Sequence, residues 1–266
     1  VFIDRMPPYM SDFKASGIGN SFYEDCKKSM PKIVHLEQIH AYYPIRKYIT
    51  WLKNNGVKIV LDCHNIEYRL LEESLGLMSH IKQIGGKLVL RNLKKLEIEA
   101  IANADVILCC SELDRDFFIK YNKNVLVVPN GVDYDYFYNK NINKDNNLIF
   151  MGGVGYPPNA DAVEYYVKEI HHLVKKEIPD LKVYLVGTDK DWFGSKKDDS
   201  IIPLGFVPDV REYLKKSKVG ISPIRYGSGT RLKIMTYMAA GLPVVSTLKG
   251  AEGVVYTNNE NILLED

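Results

Sequence analysis

A short run of small residues followed by basic ones is the strongest chemical signal in this sequence. Gly227-Ser228-Gly229-Thr230 separates an apolar stretch that ends at Ser222 from a stretch with helical periodicity that begins near Arg231. The start of a helix presents unpaired N–H groups and the positive end of the helix dipole, so such a junction can bind an anion. Arg231 and Lys233 add two positive charges, and an arginine can hold a phosphate through two hydrogen bonds. These residues predict an anion site, with a plain structural turn as the alternative.

His64 is the second candidate, because it directly follows the β-branched stretch Val57–Asp62. An imidazole can donate or accept a hydrogen bond near neutral pH, which suits contact with hydroxyl groups or phosphate oxygens. A polar residue that closes a buried strand also often serves only a turn. On the residues alone, both interpretations stay open.

Apolar runs of strand length alternate with helical patterns along the chain. The predicted strands are Lys32–Leu36, Val57–Asp62, Asp105–Cys109, Asn124–Pro129, Leu148–Met151, Leu181–Val186, Val219–Ser222 and Pro243–Ser246. This alternation predicts an α/β fold with two parallel sheets, each covered by helices on both faces. Ligands of such sheets bind at the carboxyl ends of the strands. We therefore expect two Rossmann-like domains that face each other across a cleft.

Helical patterns and one polar segment complete the predicted organisation. The predicted helices are Tyr42–Asn54, Glu67–Ala102, a helix capped by Ser111 that runs through Lys120, and Ala160–Lys175 capped by Asn159. The Asn-rich stretch Asp133–Asn147 lacks apolar periodicity and is interpreted as a linker. The predicted domains are residues 1–138 and 139–266.

Composition excludes several classes of protein. The chain has 266 residues, of which 46% are hydrophobic and 26% charged, which is typical of globular domains. Its net charge of +2 is too balanced to predict a nucleic-acid partner. The four cysteines form no CxxC pair, so we expect reduced thiols and a cytoplasmic location. No apolar run is long enough to cross a bilayer.

Two weaker patterns leave alternatives. In Ile81–Ala100 apolar residues recur at helical spacing beside several lysines, which favours a core-facing helix over one that contacts a membrane surface peripherally. Asp-x-Asp occurs at Asp114/Asp116, Asp133/Asp135 and Asp189/Asp191. Since a metal site needs more ligands than two carboxylates, we predict no metal site. Gly153-x-Gly155 follows a strand as in a dinucleotide fingerprint, but Pro158 occupies the third glycine position, so we also predict no cofactor.

Several motifs occur together in one order. They are VKIVLDCHNIE, SELDRDF, VVPNGVD, PPNADAV, GFVPDV and GSGTRLKI followed by MAAGLPVVST. In this combination the chain resembles the family-4 retaining glycosyltransferases, which have the GT-B fold, and within them the subgroup with the GSGTRLKI loop. The resemblance covers roughly Pro31 to Val254. It implies an N-terminal acceptor domain and a C-terminal domain that binds a nucleotide sugar.

The resemblance also implies a role for each matching residue. The diphosphate would be held by Gly227, Ser228, Gly229, Thr230, Arg231 and Lys233. The base and ribose would lie against Gly205, Phe206, Val207 and Thr236. Gly152 and Gly153 would form a cleft loop that faces the acceptor domain. His64 would contact the transferred sugar and help to orient it.

The sequence departs from the family pattern at three places. Two glutamates separated by seven residues in the family correspond to Ser228 and Thr236, and a neutral hydroxyl at Thr236 would weaken ribose binding by about 1–2 kcal/mol. The Arg and Lys that follow the first strand of the family's donor domain correspond to Gly153 and about Pro158. The family also has strands before Lys32 and helices after Asp266, so we expect an incomplete N-terminal domain and missing closing helices.

The function implied is metal-independent transfer of a sugar, with retention of configuration, from a nucleotide sugar to a glycan or lipid-linked acceptor. Such a hexosyltransferase of polysaccharide biosynthesis would be cytoplasmic, either free or peripheral on the inner face of the membrane. Two alternatives stay open. One is a non-catalytic nucleotide-sugar-binding protein or partner subunit, and the other is a sugar-nucleotide epimerase.

Overall fold

The chain divides into two compact units, each built on a parallel β-sheet. The computed structural model describes residues 6–7, 10–12, 16–76, 80–138, 145–193 and 198–266. One unit comprises Val1–Pro129 and Ser228–Thr230, and the other comprises Asn130–Gly227 and Arg231–Asp266. The expected α/β class with two Rossmann-like halves is confirmed. The predicted boundary after Tyr138 borders residues 139–144, which lie outside the described residues, and it stays a prediction.

The sheet of the first unit has four parallel strands in the order β1-β2-β3-β4. They are β1 (Ile33–Glu37), β2 (Lys58–Cys63), β3 (Val106–Cys109) and β4 (Val125–Val127). In the register Glu37 lies opposite Asp62, and Cys63 lies opposite Cys109. The carboxyl ends of these strands therefore meet at one edge. All four were predicted from sequence, with bounds that differ by at most two residues.

The helices of the first unit connect these strands. They are α1 (Ile18–Ser29), α2 (Gln38–Ile45), a 3-10 turn (Arg46–Tyr48), α3 (Ile49–Asn54), α4 (Glu67–Gly76), α5 (His80–Asn103) and α6 (Glu112–Phe118). Ser111 caps α6 as predicted, since its hydroxyl oxygen accepts the N–H of Asp114 at 3.2 Å. The helical region predicted from Glu67 to Ala102 contains α4 and α5, and residues 77–79 of it lie outside the described residues. Helix α1 was not predicted.

Helix α5 turns one face to the core of the first unit. Leu93, Leu96 and Ala100 are buried, as the core-facing interpretation predicts. Ile84 is exposed over 73% of its surface and Leu88 over 42%, so the core-facing stripe does not extend to these two residues. Within the described parts of the chain, no helix has both the length and the apolar character that a membrane span needs.

The sheet of the second unit has six parallel strands in the order β10-β9-β8-β5-β6-β7. They are β5 (Asn147–Met151), β6 (Lys182–Val186), β7 (Ile201–Gly205), β8 (Val219–Ser222), β9 (Val244–Ser246) and β10 (Leu263–Leu264). The strand order reverses at β5, which pairs with both β6 and β8, and ligands of doubly wound sheets bind at such a switch point. The sequence did not predict β7 and β10, because β7 contains Pro203 and β10 has only two residues.

Helices flank this second sheet. They are α7 (Tyr134–Phe137), α8 (Pro157–Tyr165) continued by a π-helix (Tyr166–Ile170), α9 (His171–Glu177), α10 (Arg211–Lys216) and α11 (Leu232–Ala239), with short 3-10 helices at Lys190–Phe193 and Lys249–Ala251. The predicted cap at Asn159 is wrong, because α8 begins at Pro157 with Tyr156 at its N-cap. A proline suits the first turn, where its fixed φ matches the helix and its missing N–H would have no partner.

Glu97 on α5 caps the beginning of α4. Its two carboxylate oxygens accept the backbone N–H groups of Glu67 at 2.9 Å and of Tyr68 at 3.0 Å. Glu97 is buried, and this burial raises the pKa of its carboxyl group to about 7. Residues 64–66, which we call the His64 loop, connect β2 to α4. The cap at the start of α4 therefore also fixes one end of this loop.

Replacement of Glu97 by glutamine tests this cap. Glutamine replaces one carboxylate oxygen by an NH2 group, which cannot accept an N–H, so one capping bond is lost. At about pH 5 the raised pKa leaves Glu97 uncharged, so the substitution removes no buried charge, and we expect Glu97→Gln to lower the free energy of unfolding by about 1–3 kcal/mol. Urea unfolding measures the change. Glu72→Gln alters an exposed carboxylate on α4 and serves as the control. Equal stability of the two variants would contradict the capping role.

Candidate functional site

Two backbone loops lie in contact at the carboxyl edge of the second sheet. A Cβ atom at Gly187, after β6, would lie 2.7 Å from the Gly153 nitrogen and 2.8 Å from the Gly152 carbonyl carbon. Gly187 also has φ +87°, a conformation that favours glycine. The N–H of Val154 donates to the Gly187 carbonyl at 3.1 Å. Gly152 and Gly153, the predicted cleft loop, are thus held against the end of the neighbouring strand.

Asn159 connects this glycine loop to helix α11. Its amide nitrogen donates to the Gly153 carbonyl oxygen at 3.1 Å, and its amide oxygen accepts a hydrogen bond from Lys233 Nζ at 2.8 Å. A Cβ atom at Gly152 would lie 2.7 Å from the Asn159 side chain. Asn159 was predicted as a helix cap, so sequence reasoning missed this bridging role. The only signal for it was its position seven residues after Gly152 in the first turn of a helix.

Lys233 carries a charge in a poorly hydrated place. Its side chain is half-buried, and Nζ lies 4.0 Å from the centre of the Phe150 ring. Burial, reinforced by the positive charge of Arg231, lowers the Lys233 pKa from 10.5 to about 7. The ammonium group is therefore poised to lose or gain a proton near neutral pH, and a nearby anion would favour the protonated form.

Arg231 and Gly227 lie beside Lys233. Arg231 occupies the N-cap position of α11 and is buried, with 7% of its surface exposed. A Cβ atom at Gly227, which has φ +118°, would lie 3.2 Å from Arg231 Nη2 and 3.2 Å from Pro158 Cγ. Three of the six residues predicted to bind the diphosphate therefore meet at the edge where Gly153 also lies.

The other three residues of that set, Ser228–Thr230, group with the first unit. There the Ser228 hydroxyl donates to the Ile66 carbonyl oxygen at 3.5 Å. A Cβ atom at Gly229, which has φ +80°, would lie 2.7 Å from the His64 carbonyl oxygen. The absence of a side chain at Gly229 thus allows a close backbone approach to the His64 loop.

The residues predicted to contact the base begin at the end of β7. Gly205 has φ +63°, its N–H donates to the Thr188 carbonyl at 2.8 Å, and its carbonyl accepts the Gly187 N–H at 2.8 Å. Phe206 follows with 89% of its surface exposed, and Val207 is half-buried. The Thr188 hydroxyl is fully buried and has no hydrogen-bond partner among the described residues. Sequence reasoning missed Thr188, although it directly follows a predicted strand and Gly187.

Thr236, the predicted ribose contact, lies on the buried side of α11. Its hydroxyl donates to the Leu232 carbonyl oxygen at 3.1 Å, so it can offer a ligand only an acceptor. The next residue, Tyr237, is fully buried and accepts the Met151 N–H at 2.8 Å through its own hydroxyl. This bond fastens α11 to the strand end that leads into Gly152.

His64 lies one residue beyond β2 in the first unit, with 44% of its side chain exposed. Its Nδ1 lies 3.1 Å from Nε2 of Gln38, and its Nε2 lies 3.5 Å from a Glu37 oxygen and 3.6 Å from an Asp62 oxygen. Gln38 has φ +64°, which is uncommon for a residue with a side chain. The imidazole is thus held between an amide and two carboxylates.

The lowered pKa of Lys233 predicts a pH-dependent stability. Between about pH 7 and 10.5 the unfolded chain holds the Lys233 proton and the folded chain does not, so the free energy of unfolding rises with pH across that window. We expect this rise to be steeper in the wild type than in Lys233→Met, by up to about 1.4 kcal/mol per pH unit. Urea unfolding at a series of pH values measures it, with Lys176→Met, an exposed lysine, as the control. Parallel profiles for the wild type and Lys233→Met would contradict the lowered pKa.

Two protein-family models together match most of the chain. Residues 13–136 match the family model described as Glycosyltransferase Family 4, and residues 145–266 match the model described as Glycosyl transferases group 1. An uncharacterized 44.6 kDa protein in the cps region of Klebsiella pneumoniae is 28% identical over 128 residues, which are 44% of this chain and 33% of that protein. The chain thus spans about one third of the length of this curated relative.

Solved structures with the same fold include two that cover nearly all of this chain. Sucrose-phosphate synthase from Thermosynechococcus elongatus has a TM-score of 0.68 at 15% identity, over 93% of this chain and 63% of that one. The Anabaena protein HepE in complex with UDP-glucose has a TM-score of 0.64 at 13% identity, over 93% of this chain and 67% of that one. Each half of the chain therefore matches a glycosyltransferase family model, and the chain has the GT-B fold.

Proposed function

We propose that the protein is a glycosyltransferase that moves a hexose from a nucleotide sugar to a glycan or lipid-linked acceptor with retention of configuration. The observation that carries this proposal is the meeting of Arg231, Lys233 and the Gly152–Gly153 loop at the strand ends of the second unit. Two basic side chains and the positive end of α11 form a site suited to a diphosphate.

The departing nucleoside diphosphate is the species that this site stabilises. Its negative charge grows as the bond to the sugar breaks, and fixed positive groups lower the energy of that state without a metal. A bound diphosphate also raises the pKa of Lys233, so binding above neutral pH draws one proton onto Nζ. Asn159 holds Nζ in place while the amino group changes charge.

The nucleoside part of the donor binds at the ends of β6 and β7. Phe206 offers an exposed ring for the base, and the Thr236 hydroxyl offers an acceptor for the ribose. HepE was crystallised with UDP-glucose and with UDP and glucose, which makes uridine nucleotides the first donors to test.

His64 contacts the transferred sugar in this proposal. The Gln38 amide orients its ring through Nδ1, and Nε2 points away from that amide. The acceptor is a glycan or a lipid-linked sugar at the cytoplasmic face of the membrane. The family resemblance of the VKIVLDCHNIE motif supports the role of His64.

A non-catalytic nucleotide-sugar-binding protein is the second candidate, and Thr236 favours it. This residue stands where the resemblance predicts a glutamate, and its hydroxyl proton is already donated to a helix carbonyl. The two candidates differ in turnover, since a binding protein holds the donor without releasing the nucleoside diphosphate. An epimerase differs from both, because it would convert the donor into a stereoisomer without any acceptor.

Thermal unfolding with UDP-, GDP- and ADP-sugars tests the donor site. A ligand at about 100 times its Kd adds about 2.7 kcal/mol to stability, which raises the melting temperature by several degrees. We expect one nucleotide to produce this shift in the wild type. No shift with any nucleotide would contradict both the transferase and the binding-protein proposals.

Replacement of Arg231 tests which residue holds the diphosphate. We expect Arg231→Ala to weaken binding of that nucleotide sugar by about 10- to 100-fold, because a charge-assisted hydrogen bond is worth about 1.5–3 kcal/mol. Arg231→Lys keeps the charge without the bidentate geometry and should give an intermediate loss, which also covers the case in which the alanine variant unfolds. Arg115→Ala, which removes an exposed guanidinium of the first unit, is the control. Unchanged binding by both Arg231 variants would contradict the assignment.

Replacement of His64 separates binding from turnover. We expect His64→Ala to keep the thermal shift with the nucleotide sugar and to lower release of the nucleoside diphosphate about 100-fold or more, since a group that acts only during the reaction affects kcat. His172→Ala removes an exposed imidazole of the second unit and is the matched control. Full turnover in His64→Ala would exclude this residue from the reaction.

A further inference from the structure

Two imidazoles and two carboxylates come together at the carboxyl end of the first sheet. His35 and Glu37 are two residues apart on the edge strand β1, so they lie on the same face. The parallel register places Asp62 of β2 directly opposite Glu37. His64 follows two residues after Asp62. The four side chains are all accessible, with Asp62 the least exposed of them at 23%.

Each imidazole Nε2 lies 3.5–4.0 Å from an oxygen of both carboxylates. His35 Nε2 lies 3.5 Å from an Asp62 oxygen and 4.0 Å from a Glu37 oxygen. His64 Nε2 lies 3.5 Å from the other Glu37 oxygen and 3.6 Å from the other Asp62 oxygen. These separations exceed those of good hydrogen bonds, which are about 2.7–3.2 Å. They approach the ligand–ligand separation of about 3.3 Å around a tetrahedral ion with bonds of about 2.0–2.1 Å.

We propose that His35, Glu37, Asp62 and His64 form a binding site for a divalent transition-metal ion of the Zn²⁺ type. Imidazole nitrogens combined with carboxylate oxygens suit Zn²⁺ and Co²⁺, whereas Mg²⁺ and Ca²⁺ prefer ligands that are all oxygen. Three of the ligand atoms, from His35, Glu37 and Asp62, already lie within 4.8 Å of one another. His64 is not part of this group of three, so its exposed side chain must rotate to reach the same ion.

Gln38 would supply the outer contact of such a site once its amide is rotated, because it is the amide nitrogen that faces His64 in the structure. Its amide lies 3.1 Å from His64 Nδ1, and rotation of that amide by half a turn presents its oxygen to the ring. Nδ1 then carries the proton and donates it to Gln38. The lone pair of the ring is left on Nε2, which is the nitrogen that faces the two carboxylates.

This site differs from the expectation drawn from sequence, which was that the chain has no metal ligands. The expectation considered Asp-x-Asp pairs and the zinc spacings of cysteine and histidine. These four residues instead come from two paired strands and the residue that follows one of them, and no short motif reveals that pairing. The proposal goes beyond the proposed transferase function and does not rest on it. The two share only His64.

Metal titration of the chain after treatment with a chelator tests the proposal. We expect calorimetry to show that the wild type binds one Zn²⁺. We also expect bound Co²⁺ to give the visible absorption bands of a four-coordinate site. His35→Ala removes one ligand from an exposed position of an edge strand. It should weaken Zn²⁺ binding by more than about tenfold, the effect that even an outer contact of a metal ligand can have. Glu37→Gln should also weaken it, because an amide replaces a carboxylate.

His172→Ala is the matched control, because it removes an exposed imidazole outside the cluster. An equal loss of Zn²⁺ affinity in His35→Ala and His172→Ala would mean scattered surface binding and would overturn the proposal. Absence of Zn²⁺ binding by the wild type would also overturn it. Thermal unfolding in chelator shows whether each variant is folded. The nucleotide-sugar shift of the wild type, measured in the same chelator, tests the donor site separately, so each proposal can fail alone.

Discussion

The backbone contact between Gly187 and the Gly152–Gly153 loop is the constraint on which the candidate donor site depends. A side chain at Gly187 would meet the Gly153 nitrogen at 2.7 Å, so the ends of β5 and β6 can approach only because this residue has none. The approach leaves the Gly153 carbonyl where Asn159 can donate to it, and Asn159 in turn holds Lys233. Beside this strand edge, Tyr237 fastens α11 to Met151. Loop, helix and cation are thus positioned by one chain of contacts.

The same contacts place a lysine where its charge is costly. Burial and the neighbouring Arg231 disfavour the protonated form of Lys233. The folded protein therefore holds this proton less tightly than the unfolded chain, and the pKa falls to about 7. Groups that a fold holds in unfavourable states often serve a ligand that relieves them. Here an anion would relieve the repulsion between the two cations. The stability that the fold gives up at Lys233 is therefore consistent with the proposed diphosphate site.

In the first unit, polar side chains cluster at the carboxyl edge of the sheet, on positions that do not face the hydrophobic core. His35 and Glu37 on the edge strand β1 are exposed, while Val34 and Leu36, which alternate with them along the strand, are buried. Glu97 is a buried carboxylate that fixes the start of α4. The His64 loop is therefore held from one side by a helix cap and from the other by Gln38. An imidazole held in this way can serve either a sugar or a metal ion.

The sequence by itself determined the strands with strong apolar patterns, the α/β class and the glycine and basic residues of the loop before α11. Periodicity and glycine placement are local signals, and they predicted eight of the ten strands in the described chain. It could not predict β7 and β10, because a proline or a length of two residues hides a strand whose partner supplies the pairing. Only the tertiary structure decided that Asn159 contacts Lys233, that Thr188 is buried without a partner in the described chain, and that His35 faces Asp62. These relations join residues far apart in sequence, and they depend on strand register and loop contacts that no single segment encodes.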